Sequence, residues 1–291
     1  RRLHVASSAV NRQLLKIEEE VGAPLFERLP GGLRLTAAGE IFARHVIVVL
    51  QDTERVRSEL DALQGLRTGH VEIATVSGVT TDLLPGVLEQ LRERYPRVTV
   101  GVTSLGSQAI PDAVTSGQAD IGLAFALPRT ADLQQLGVGH FRLGAIVAPG
   151  HPLAERRDVS FATCAEYPLI LAKSDLSIHH LLAPLLARTR PRHKAPLETS
   201  SVELALQMAK RGAGVAFQTR IGIEAELANG TLVHVPLNDG GSVFSDLGVY
   251  VRSSRYLPVA VDAFVRALSE EIAIREAAQA TSSSRTAPQQ R

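Results

Sequence analysis

The sequence holds a single cysteine, Cys164, so no disulfide can close within the chain and no multi-thiolate metal site can form. No stretch approaches the roughly 18 consecutive apolar residues that crossing a bilayer requires. The opening residues, Arg1 to Ala9, lack the apolar core of a secretory signal. A reducing, cytoplasmic setting with no membrane partner is therefore expected. Lysine is scarce, limited to Lys16, Lys173, Lys194 and Lys210, so nearly all the positive charge is arginine. Neither sign of charge is in excess: 31 basic and 30 acidic residues leave a net +1, which excludes a protein that holds nucleic acid by bulk charge alone. Any nucleic-acid contact has to be local.

The motifs of catalysis are also missing. There is no G-x-S-x-G elbow, phosphate loop, dinucleotide fingerprint or paired-histidine metal motif, so no enzymatic activity, cofactor or metal is expected. His179 and His180 are adjacent, which sends them to different sides of a helix, and His193 has no ligand partner at a useful spacing; surface or packing roles suit them better. Cys164 has no basic or helix-dipole context and reads as an inert thiol. No internal repeat is present.

What the chain does have is length and apolar content. Its 291 residues, 45% hydrophobic and 21% charged, suffice for about two packed domains. From Ser7 a helical pattern places Val10, Leu14, Ile17 and Val21 on one face as a buried stripe, with Ser7, Ser8, Asn11, Arg12 and Lys16 opposite. Gly22 ends that helix, and Leu33 and Leu35 alternate with Arg34 after a Pro30-Gly31-Gly32 turn, the pattern of a small β-hairpin. A helix followed by a basic hairpin is a common DNA-binding layout.

Thr36 can cap the next helix, in which Phe42, Val46, Val49, Thr53, Val56, Leu60 and Leu63 recur at alternating spacings of four and three. That seam suits a long helix, about 40 Å, pairing with the same helix of a second subunit; a long core helix within one domain is the alternative. After a short hinge at residues 65–69, strands and helices alternate, implying parallel sheet covered by helices on both faces. Two α/β lobes joined by crossing strands would enclose a cleft, with Leu247 to Val251 and Pro258 to Ile274 returning to the first lobe. The tail from Ala277 to Arg291, rich in Ser, Thr, Pro and Gln, is expected to be disordered.

By this point a family resemblance is legible. The run Leu3-His-Val-Ala-Ser-Ser-Ala-Val-Asn-Arg-Gln-Leu, then Ile17-Glu-Glu-Glu-Val-Gly-Ala-Pro-Leu-Phe-Glu-Arg and Leu35-Thr-Ala-Ala-Gly, resembles the LysR-type transcriptional regulators. The likeness continues through Leu84-Pro85, Gly117-x-Ala-Asp-Ile-Gly-Leu, His151-Pro152-Leu153 and Gly212-x-Gly214-Val. It implies an α+β multi-domain chain: a winged helix-turn-helix, a dimerising linker helix and a two-lobed, periplasmic-binding-protein-like effector domain. The corresponding boundaries are residues 1–36, 37–68 and 69–276, with one lobe at 69–148 plus 242–276 and the other at 149–241. Members of that family usually carry a further helix and most of the next in front, so Arg1-Arg2-Leu3 reads as the end of that second helix and the DNA-binding domain is expected to be incomplete.

The resemblance also implies partners: double-stranded promoter DNA, a small organic effector, RNA polymerase, and a second copy of the chain in a homodimer that goes on to a homotetramer. In the recognition helix, Ser8, Asn11 and Arg12 suit base edges and Ser7 and Lys16 suit phosphates. Asn11 stands where many members have serine. Arg28 and Arg34 of the hairpin could reach the backbone or minor groove. Effector contacts fall at strand ends and helix starts: Ser77 and Ser107 in the first lobe, Lys173, Ser174, Ser177 and Thr199 in the second. Simple helix capping by those hydroxyls is the alternative. A solute receptor of the same fold, without DNA binding, is the rival function.

Overall fold

The computed structural model describes residues 7–63, 68–189, 195, 197–253 and 256–285. By internal contacts the chain separates into one unit at Arg1–Val56 and a larger one at Arg57–Arg291.

In the smaller unit, helix α1 spans Ser7–Val21. It stops at Gly22, whose φ of 74° is the left-handed conformation that ends helices at little cost only for glycine. Glu18, in the last turn, accepts the N–H groups of Leu25 and Phe26 at 2.7 and 3.0 Å. That carboxylate fixes where the hairpin of β1 (Phe26–Leu29) and β2 (Gly32–Leu35) begins. The strands pair from Phe26 opposite Leu35 to Leu29 opposite Gly32. The Thr36 hydroxyl donates to the Pro24 carbonyl at 2.7 Å and accepts the Gly39 N–H at 2.9 Å, capping α2 (Ala37–Leu63). Gly39 lies against the Leu25 backbone, where a methyl group would collide with the Leu25 carbonyl. The Leu35-Thr-Ala-Ala-Gly run is thus a joint: one cap and one close approach.

The expected buried stripe on α1 is not buried. Leu14 is half-covered, but Val10, Ile17 and Val21 are 45%, 39% and 41% exposed, because no described element of this unit packs along that face.

The larger unit begins with β3 (Thr68–Thr75), α3 (Ser77–Thr81), α4 (Leu83–Arg94) and β4 (Arg97–Ser104). A 3-10 turn at Ser107–Ala109, α5 (Ile110–Thr115) and β5 (Ile121–Phe125) follow. Strand β6 (Leu133–Arg142) passes through Leu143 alone into β7 (Gly144–Val147) and the second lobe. That lobe contains α6 (Phe161–Cys164), β8 (Ile170–Ala172), α7 (Ser177–Arg188), β9 (Leu197–Thr199), α8 (Val202–Lys210), β10 (Ala216–Gln218), α9 (Glu224–Ala228) and β11 (Val233–Pro236). Then β12 (Phe244–Arg252) and α10 (Val259–Arg285) return to the first lobe, where β12 pairs with β5 and α10 packs on β6 and α4.

The sheets of the two lobes are not uniformly parallel as expected. The first runs β4-β3-β5-β12-β6, with β3 parallel to β4 and β5 but β12 antiparallel to β5 and β6. In the second, β7 lies antiparallel between β10 and β11, and a Leu169–Val215 bridge joins it to the parallel pair β8 and β9. Strand β6 reads Leu-Gln-Gln-Leu-Gly-Val-Gly-His-Phe-Arg; glycine and glutamine dilute the β-branched signal that marks a strand.

The tail expectation also needs correcting, since α10 continues past residue 276 to Arg285. Its polar side chains cover the free edge of β6. Glu276 accepts the His140 N–H at 3.0 Å, and buried Gln279 accepts the Arg142 N–H at 3.0 Å and donates to the His140 carbonyl at 3.3 Å. Satisfying an exposed strand edge takes hydrogen-bonding groups rather than apolar ones. Residues 286–291 lie outside the described residues.

Candidate nucleic-acid interface and ligand cleft

On α1, Ser8 and Arg12 are exposed, and Arg12 has no ion-pair partner among the described residues. Asn11 is half-covered and accepts Nη2 of Arg28 at 2.9 Å, so the hairpin orients a side chain assigned to base reading. Lys16 sits 3.7 Å from Glu20, and Arg34 2.7 Å from Glu27. Exposed pairs of this kind contribute little, and a phosphate can replace either carboxylate. Ser7 opens the helix, but its side chain lies outside the described residues. The helix and the hairpin thus bring together Arg12, Lys16, Arg28 and Arg34, interleaved with Glu19, Glu20 and Glu27.

Along α2, Phe42 and Val46 are half-covered while Val49, Val56 and Leu60 are exposed. Thr53 returns its hydroxyl to the Val49 carbonyl at 2.8 Å; the Leu63 side chain lies outside the described residues. Ile41, Val48 and Leu50 add further exposed apolar surface that the spacing argument did not single out. Such a helix is apolar beyond what a solvated face needs.

Between the two lobes lies a cavity of about 260 Å³, lined from the first lobe by Ser77, Ser104 and Ser107 and from the second by Ser177, Ser200 and Gln218, among others. Ser107 and Gln218 are almost fully buried. Ser77, Ser107 and Ser177 occupy first helical positions, preceded by Val76, Gly106 and Leu176 as caps, and none makes a capping bond. Capping, the alternative role, falls instead to Ser201, which accepts the Leu204 N–H at 3.1 Å. Two carboxylates sit on the second-lobe rim, each bonded to a serine hydroxyl: Asp175 to Ser200 at 2.9 Å and Glu203 to Ser201 at 3.0 Å.

Three expected contacts do not line this cavity. Lys173 and Ser174 are not among its walls: the turn after β8 carries both side chains outward, and Ser174 is exposed. Thr199 is buried and uses its hydroxyl to accept the Ser201 N–H at 3.0 Å, which shapes the loop without reaching the ligand space. A position at a strand end does not determine which way a side chain points. Ser104, Ser200 and Gln218 were missed for the same reason. Gln218 does stand at the end of a short apolar strand, the one signal that could have found it.

Beside the cleft, Gln108 Nε2 from the first lobe lies 2.6 Å from His180 Nε2 and 3.3 Å from the Ser174 carbonyl, linking the lobes. On the far side, Asp82 accepts the Gly222 N–H at 3.0 Å and binds Arg275 at 2.6 Å. His179 holds the Ala172 carbonyl at 2.9 Å, and His193 lies outside the described residues.

The remaining motif residues are scaffold. Asp120 clamps β3 to β5 by accepting the Glu72 N–H at 2.8 Å and donating its own N–H to the Glu72 carbonyl at 2.8 Å. His151 accepts the Leu153 N–H at 3.2 Å and meets the Tyr167 ring edge-on, centroids 4.7 Å apart. Burial pushes the Cys164 thiol up to about 12, so almost no reactive thiolate exists at neutral pH. No group of three or more His, Cys, Asp or Glu side chains is placed to hold a metal among the described residues.

Comparison with known proteins agrees with this layout. The family described as "LysR substrate binding domain" matches residues 64–273, and "Bacterial regulatory helix-turn-helix protein, lysR family" matches residues 1–40. A probable RuBisCO transcriptional regulator of Synechocystis is 27% identical over 275 residues, covering 91% of this chain and 78% of the relative. Among solved structures, a cysteine-to-aspartate variant of full-length OxyR from Pseudomonas aeruginosa is similar with a TM-score of 0.73 at 18% identity, over 92% of this chain and 86% of that one. The regulatory domain of Synechocystis CcmR in complex with 2-PG is similar with a TM-score of 0.62 at 19% identity, over 70% of this chain and 97% of that one. A helix-turn-helix match ahead of the ligand-binding lobes favours a regulator over a free-standing solute receptor. The chain belongs to the LysR family of bacterial transcriptional regulators, joining a DNA-binding segment to an effector-binding domain.

Proposed function

We propose that Ser8, Asn11, Arg12 and Lys16 on α1, with Arg28 and Arg34 of the hairpin, read double-stranded promoter DNA. The effector then binds among Ser77, Ser107, Ser177 and Gln218 between the lobes. The observation that carries the effector site is the convergence of hydroxyls from both lobes on one cavity. Serine hydroxyls and the uncapped N–H groups at the start of α7 offer donors to a ligand, while Asp175 and Glu203 accept from it. No Lys or Arg lines the space. This set suits a small hydroxy acid or polyol better than a multiply charged anion.

Pairing of α2 with its copy covers the seam from Phe42 to Leu63 and gives a homodimer, the unit from which a homotetramer assembles. The effector acts by binding one arrangement of subunits better than another, which alters how the promoter is presented to RNA polymerase. Work on promoter DNA calls for a cytoplasmic protein; among the described residues no helix is long and apolar enough to cross a membrane. The family relationship supports a non-enzymatic role.

Binding to the DNA upstream of its own gene, measured against salt, tests the first part. Affinity falls steeply with salt as phosphate contacts release counterions, and Arg12→Ala loses about 1–3 kcal/mol of discrimination between specific and scrambled sites. Retention that ignores salt overturns the reading. For the cleft, a thermal-shift screen of hydroxy acids and polyols identifies a stabilising compound whose shift disappears in Ser107→Val, with DNA affinity in the compound's absence unchanged. A hit that stabilises Ser107→Val equally removes the cavity from the account.

A further inference from the structure

A second cavity, of about 340 Å³, opens where β6 passes into β7, and none of its lining residues belongs to the effector cleft. Arg142, Arg156, Arg157 and Arg220 line it, with Asp158 as the sole lining carboxylate. Glu224 engages Arg220 through Nε at 2.9 Å and Nη2 at 3.1 Å, whereas Arg156 and Arg157 are exposed and in no ion pair among the described residues. Arg142 is the most telling of the four. Its Nε is buried and meets no acceptor among the described residues, although buried donors are nearly always paired. His234, also lining the cavity, is pushed down to about 4 by burial and by the charges of Arg220 and Arg142, as expected where positive potential is concentrated.

We propose that this cavity binds a small oxyanion carrying two or more negative charges, at a site separate from the effector cleft. Guanidinium groups match phosphate and carboxylate oxygens in paired hydrogen bonds. Four of them, offset by Asp158 and by Glu224 on Arg220, leave room for a dianion. A phosphate ester and a polycarboxylate present the same chemistry. A nucleic-acid backbone could use the exposed Arg156 and Arg157, but the recessed Arg142 requires an anion small enough to enter. The walls come from both lobes: Arg142 and Gln279 from β6 and α10, the other arginines from the second lobe. A bound anion therefore ties the lobes together beside Leu143, their crossing connection.

Calorimetric titration of the full chain with pyrophosphate and with citrate, at fixed ionic strength, tests the site. The expected result is saturable one-to-one binding, weakened about tenfold or more in the double variant Arg156→Gln/Arg157→Gln and unchanged in Ser107→Val. Arg142→Gln, checked for an unchanged melting temperature, weakens it likewise. Binding of pyrophosphate alone assigns the site to phosphoryl groups; equal binding of citrate assigns it to charge and oxygen geometry. Either supports the site. The proposal is overturned by the absence of saturable heat with both anions, by equal affinity in the double variant, by loss in Ser107→Val, or by complete displacement with short duplex DNA.

Discussion

Among the described residues of the amino-terminal unit, Leu25 is the one large apolar side chain that is fully buried. The second unit encloses three apolar clusters, with Phe141, Phe161, Ile121 and Leu123 at 0–1% exposure. The first unit relies on hydrogen-bonded joints instead: Glu18 to the hairpin, Thr36 to α2, Asn11 to Arg28. Much of the apolar surface on its α1 and α2 faces outward. Among the described residues the first unit is held by these caps and turns, while the effector domain carries its own core.

The contrast predicts unequal responses to substitution. Ile121→Ala, at the centre of the first-lobe sheet, costs about 2–5 kcal/mol through lost burial and a residual cavity. Val10→Ala, on exposed α1, costs less than about 1 kcal/mol. Urea unfolding of the two variants checks this, and equal losses would erase the distinction between the units.

A second difference is in pH response. His234 in the second unit is held neutral, its pKa lowered from 6.5 to about 4. In the unfolded chain it takes up a proton near 6.5, so the unfolded state binds more protons between pH 6.5 and 4. Stability is therefore full above the unfolded value and lost as pH falls through that window, by up to roughly 3 kcal/mol. Urea midpoints at about pH 7.5 and about pH 4.5, either side of most of that window, measure the loss, and His234→Gln flattens it. His140 acts in the opposite sense, because its hydrogen bond to Asp246 raises its pKa. That contribution is present at low pH and lost as pH rises past the raised value, and solvent screening of so exposed a pair keeps it small.

The smallest effect tests the joints. Thr36→Ala removes the α2 cap and costs about 0.5–2 kcal/mol, read as a loss of helical circular dichroism and of DNA affinity with the melting of the effector domain unmoved. A variant that melts the effector domain as well would show that the two units share more than a chain.

Much of this architecture was legible in residue order. The hairpin, the long helix, the alternation of strands and helices, and the serines at helix starts all announce themselves locally, and Ser77, Ser107 and Ser177 do line the cavity. Other features were not legible. Strand β6 is masked by its glycines and glutamines, and Gln218 and Ser104 look like ordinary polar residues. The helix through Gln279 reads as a disordered tail to any argument that counts only apolar side chains.

What the sequence determined by itself are the interactions that close within a few residues: Gly22 ending α1, Thr36 capping α2, Ser201 capping α8, and the helical and hairpin periodicities between them. The tertiary structure alone decided the rest. It ran several strands antiparallel, set Gln279 and Glu276 against the free edge of β6, turned Lys173 and Thr199 away from the cleft, and brought arginines from 142 to 220 around one cavity. Those outcomes depend on which distant segments meet and in which direction they run. Side-chain identity constrains such pairings only through the packing of the whole domain.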